Sequence, residues 1–98
     1  MSVQEELDQM RDAHRRTALQ FACQLLREDP ALTRGSLLRR LRADMRHSKW
    51  FEYESNIQRA AEVIADEALR ITAEHGSAPS LDFDRAISSA DFSELRAR

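Results

Sequence analysis

Residues 57–71, Ile57-Gln58-Arg59-Ala60-Ala61-Glu62-Val63-Ile64-Ala65-Asp66-Glu67-Ala68-Leu69-Arg70-Ile71, decide the fold. Ile57, Ala61, Ile64, Ala68 and Ile71 recur at steps of four and three, which returns them to one side of an α-helix. The period is that of a coiled-coil seam. Trp50 lies one heptad earlier on the same line. The spacing predicts a helix over about 49–75, with Ser48 as its cap, Gly76 closing it and Pro79 beyond. Alanines at 60, 61, 65, 68 and 73 keep this helix slim, so a neighbour can approach closely.

A seam needs a facing stripe, and the first thirty residues supply one. Val3, Leu7, Met10, His14, Thr17 or Ala18, Phe21 and Leu25 recur at helical steps. Ser2 and Glu5 stand at capping-box spacing, and Pro30 ends the run because proline has no amide hydrogen. The first helix is therefore expected over about 2–29. A short second helix follows, capped by Thr33 and stapled by Leu32 and Leu37, with Leu37, Leu38, Leu41 and Met45 on its apolar side. Gly76-Ser77-Ala78-Pro79-Ser80 is linker-like. Residues 81–98 form a weaker helix, with Asp82 as its cap, Leu81 and Ala86 as its staple, and Phe83, Ile87, Ala90 or Asp91, and Leu95 towards a core. No Asn-Gly or Asp-Gly hairpin dipeptide and no long alternating run suggests a strand. The expected fold is all-α. It is one domain over 1–98, a small bundle of three to four helices with two long ones and a short basic helix between them.

Composition sets the limits of that domain. The chain has 98 residues, 42% hydrophobic and 33% charged, with four glycines and prolines in all. Valine, isoleucine and leucine are few, so the core is thin and a homo-oligomer or a complex with another protein is expected. The single cysteine, Cys23, has no intramolecular partner for a disulfide, which points to a reducing, cytoplasmic setting. The acidic N-terminus is unlike a signal peptide. No apolar run is long enough to span a membrane, and no membrane partner is expected.

The net charge is −2, but it is unevenly spread. Residues 1–33 carry −2, residues 34–49 carry +5, residues 50–79 carry −4 and residues 80–98 carry −1. The second helix is thus a basic helix between acidic ones. Its candidate binding residues are Arg34, Arg39, Arg40, Arg42, Arg46, His47 and Lys49. Arg39, Arg42 and Arg46 form one ridge with Arg40 on its flank, a pattern suited to a polyanion. Arginine outnumbers lysine fourteen to one over the whole chain, and the guanidinium binds phosphate and carboxylate bidentately. The competing reading pairs these arginines with the chain's own Glu52, Glu54, Glu62 and Asp66. Trp50 and Tyr53 share a face directly after the basic segment, while Phe51 points elsewhere. They either plug the end of the bundle or offer a stacking surface. The stretch Phe21 to Trp50 also resembles a helix-turn-helix pattern. In that pattern the next helix would present His47, Ser48, Lys49, Glu52, Asn56 and Arg59 to a DNA groove. Glu52 and Glu54 there would repel phosphate, and the turn carries no glycine.

Catalytic signals are sparse. His14, His47, His75 and Cys23 lack metal-ligand spacing, so no metal site and no cofactor are expected. His14 lies on the apolar stripe, and His75 suits a helix C-terminus. Glu52 and Glu54, Asp66 and Glu67, and Asp82 and Asp84 are carboxylate pairs at spacings that point apart on a helix. The expected function is a non-catalytic helical interaction module that binds nucleic acid through its basic helix in a regulatory or nucleoprotein complex. The alternative is a protein-protein adaptor, inhibitor or antitoxin-like subunit that docks through the seams of the first and third helices.

Overall fold

Four side-chain oxygens start four helices. In the computed structural model, which describes residues 2–49, 54, 56–76 and 80–96, Ser2 Oγ accepts from the Glu5 amide at 3.2 Å and opens α1, Val3–Glu28. Thr33 Oγ1 accepts from the Ser36 amide at 3.2 Å and opens α2, Arg34–His47. Asn56 Oδ1 accepts from the Arg59 amide at 3.0 Å and opens α3, Ile57–His75. Ser80 Oγ accepts from the Phe83 amide at 3.0 Å and opens α4, Leu81–Ser88. Each cap satisfies an amide that the first helical turn leaves without a partner. No strand occurs among the described residues, and the fold is all-α.

Two caps are those expected from sequence and two are not. The third helix begins at Ile57 rather than near Lys49, because extended Asn56 (φ −144°, ψ 92°) takes the capping position; Ser48 instead closes α2. Trp50, Phe51, Glu52 and Tyr53 lie outside the described residues. The fourth helix is capped by Ser80, which leaves Asp82 and Asp84 in the first turn, where their charge favours the helix dipole. It stops at Ser88, and the chain continues through a 3-10 turn at Ser93–Leu95. Gly76 does close α3, with φ +74° and its amide donating to the Thr72 carbonyl at 2.8 Å. Asn56→Ala is expected to cost about 1 kcal/mol in urea unfolding, and Asn56→Asp to retain the stability. Equal stability of Asn56→Ala and wild type would remove Asn56 as the determinant of this helix start.

α3 is the central element. It packs against α1, α2 and α4, and Ala61, Ile64, Ala68 and Ile71 are fully buried. Ala60, Val63 and Ala65 widen the buried arc, and Ile57 packs at its edge. The seam read from sequence is therefore filled by helices of the same chain. α1, at 1.5 Å per residue, runs about 39 Å and accounts for the 40 Å long axis of the molecule. No helix among the described residues is long and apolar enough to cross a membrane.

α1 is rotated from its expected register. Its buried face carries Ala18, Leu19, Ala22, Cys23, Leu25 and Leu26, and continues through Asp12 and Arg15. Of the expected stripe, Ala18 and Leu25 belong to this buried face, while Val3, Leu7, Met10, His14 and Phe21 lie on the flank. Val3 is 75% exposed, Thr17 is exposed, and the other four are half-buried. The C-terminal segment adds Phe83, Ile87, Ala90 and Phe92 to the core, with Leu95 half-buried. Arg27 of α1 sits over the Phe83 ring of α4 at 5.3 Å from its centroid, a cation–π contact between the two helices.

Candidate functional site

The site is built on α2, whose sequence alternates leucines with arginines at helical spacing. Leu37, Leu38, Leu41 and Met45 are buried and turn one side of the helix inward. That orientation places Arg39, Arg40, Arg46, His47 and Ala43 on the exposed side, and Lys49 is exposed just past the helix end. Among the described residues none of Arg39, Arg40, Arg46 and Lys49 has an acidic partner. One acid, Asp44, lies on the same helix at the margin of this face and is exposed.

The remaining two arginines of the segment are engaged by side chains of α3. Arg34 grips Asp66 of α3 with two nitrogens, Nε to Oδ1 at 2.7 Å and Nη2 to Oδ2 at 3.2 Å. Those hydrogen bonds hold the Asp66 carboxyl below the usual carboxylate range. Half-buried Arg42 donates to Gln58 Oε1 at 2.5 Å, and Gln58 in turn donates to Glu62 at 2.8 Å. The expected ridge of Arg39, Arg42 and Arg46 is therefore split. Arg42 faces α3, and Arg40 joins Arg39 and Arg46 on the open side. Trp50 and Tyr53, the aromatic members of the expected site, fall outside the described residues.

The helix-turn-helix expectation is corrected by the same geometry. His47 ends α2 and Lys49 follows it, so neither lies on the first turn of α3. Arg59, which does, is engaged by Glu94 at 2.8 Å and stands 4.0 Å from Glu62.

A buried charge cluster, absent from the expectations above, surrounds Arg15. Arg15 is 1% exposed and donates through Nε and Nη2 to both oxygens of Glu54, at 2.6 and 3.0 Å. Its Nη1 donates to Asp12 at 2.9 Å, and Nη2 also reaches the Leu95 carbonyl at 3.4 Å. Arg96 completes the set on Asp12 Oδ2 at 2.6 Å. Burial lowers the Arg15 pKa, but the hydrogen bonds and charges of Glu54 and Asp12 outweigh it and leave the group above its ordinary value. The cluster ties α1 to the chain between α2 and α3 and to the C-terminal turn. Its signal in the sequence is slight, because a charged residue inside an apolar stripe reads as solvated until its distant partners are known.

An open cleft of about 490 Å³ lies between α3 and α4. Its wall residues include Glu67, Arg70, His75, Asp82, Arg85 and Asp91. Arg70 is clamped between Glu67 and Glu74, and Asp91 accepts from the Ser93 amide and hydroxyl. The lining is of mixed sign and largely self-paired, so its donors do not converge on one ligand group. Burial pushes the Cys23 thiol up to about 11, which keeps it protonated as a small core side chain. Among the described residues no three His, Cys, Asp or Glu side chains gather as a metal-binding group. Comparison of the chain with protein-family models, curated proteins and solved structures finds no match.

Proposed function

We propose that this chain is a non-catalytic helical module that binds nucleic acid through the open face of α2. The observation that carries the reading is the division of labour among acids and bases. Asp66 is committed to Arg34, Glu54 to Arg15 and Glu94 to Arg59, while Arg39, Arg40 and Arg46 face outward with no acidic partner among the described residues. Three arginines on one exposed helix face add little to stability, since even paired surface charges contribute about 0–1 kcal/mol. They do concentrate positive potential where a phosphate backbone can approach. The acidic segments that carry α1 and α3, the helices packed beside α2, confine that potential to one patch.

Fluorescence anisotropy with a pool of labelled mixed-sequence nucleic acid, double- and single-stranded, tests the reading. Wild type is expected to bind at 50 mM salt and to weaken steeply by 200 mM. Arg39→Ala/Arg40→Ala/Arg46→Ala is expected to lose that binding. Arg34→Ala, which loses only its contact to Asp66, is expected to keep it. Absence of salt-sensitive binding, or a triple variant that binds like wild type, overturns the proposal.

A further inference from the structure

We infer that the nucleic acid is duplex DNA and that α2 lies in its major groove; this rests on the reading of α2 as the binding face. On an ideal helix Arg39 and Arg46 fall on one line, Arg40 and His47 on another, about 100° apart around the axis. Side chains reaching about 6 Å beyond a backbone cylinder of about 2.3 Å radius place the two rows roughly 13 Å apart. The major groove of B-form DNA is about 12 Å wide and admits an α-helix. Each row then meets one wall of phosphates. The crest between the rows is Ala43, an exposed residue whose methyl group leaves the helix free to approach the groove floor.

The other nucleic-acid forms fit this face less well. The major groove of A-form RNA is too narrow and deep for side chains to enter. Single strands are held chiefly by bases stacking on aromatic rings, and no Phe, Trp or Tyr stands among the described residues of the open face, Arg39, Arg40, Ala43, Arg46, His47 and Lys49. Arginine also suits the groove itself, because its fork pairs with the O6 and N7 acceptors of guanine as readily as with phosphate. Asp44, the lone acid, sits on the margin beyond the Arg40 row and reduces the contacts available on that side.

Anisotropy titrations with a labelled 20-base-pair DNA duplex, each of its separated strands, and the RNA duplex of the same sequence decide the matter. The DNA duplex is expected to bind at least about tenfold tighter than the other three. Contacts from Arg39, Arg40, Arg46 and Lys49 predict a slope of log K against log salt of about −3 to −4. Ala43→Leu, which adds bulk at the crest without changing charge, is expected to weaken duplex binding about tenfold while circular dichroism and thermal melting stay unchanged. Equal or tighter binding of single strands or RNA, lost in the Arg39→Ala/Arg40→Ala/Arg46→Ala variant, would leave the nucleic-acid reading standing and overturn the groove. Undiminished duplex binding by Ala43→Leu would overturn it too. No binding to any probe at 50 mM salt would overturn both.

Discussion

Arg15→Met is expected to destabilise the protein by about 3–5 kcal/mol, the range for removing one partner of a buried ion pair. The size of the effect follows from what is left behind. Glu54 is 7% exposed at its side chain and loses both of its bonds to Arg15. Asp12, 6% exposed, keeps only Arg96, whose own side chain is 47% exposed. The Leu95 carbonyl loses its contact as well. A buried carboxylate without a partner must stay charged at a desolvation cost or take up a proton, and either course favours the unfolded chain. A small helical domain has about 5–15 kcal/mol of stability, so the variant approaches the threshold of folding at 37 °C. Urea unfolding of wild type, Arg15→Met and Arg15→Met/Glu54→Leu measures it. The double variant removes the orphaned Glu54 and is expected to recover part of the loss. A cost below about 1 kcal/mol for Arg15→Met would mean that the cluster behaves as a solvated surface pair.

Phe92→Ala is expected to cost about 3–5 kcal/mol, as for a large aromatic side chain removed from a packed core. Phe92 is 1% exposed although it lies between α4 and the 3-10 turn, outside any α-helix. Its burial holds the last described residues against the bundle, and they in turn carry Leu95 and Arg96 to Arg15 and Asp12. The variant is therefore expected to loosen the charge cluster along with the core. Phe92→Leu keeps most of the apolar volume and is expected to cost less than half as much. Thermal unfolding of the two variants gives the comparison. Hydrogen exchange of the 92–96 amides is expected to quicken in Phe92→Ala. Unchanged melting of Phe92→Ala would show that the C-terminal segment contributes nothing to the core.

The features of this protein that local interactions control are legible in its amino-acid order. The seam of α3, the apolar side of α2, the stop at Pro30 and the caps at Ser2 and Thr33 all depend on residues three or four positions apart. Helical periodicity exposes such relations directly. The start of α3 was less legible, since Ser48 and Asn56 are both competent caps and only packing chooses between them. Which charges find a partner depends on contacts between residues far apart in the chain. Arg34 finds its acid 32 residues away, Arg15 finds Glu54 39 residues away, and Arg96 reaches back 84 residues to Asp12. Before those partners meet, every arginine in the chain looks alike. Once they meet, the low dielectric of the interior makes Arg15 part of the core. Arg34 and Arg42 become struts to α3, and Arg39, Arg40 and Arg46 remain as the open face of α2.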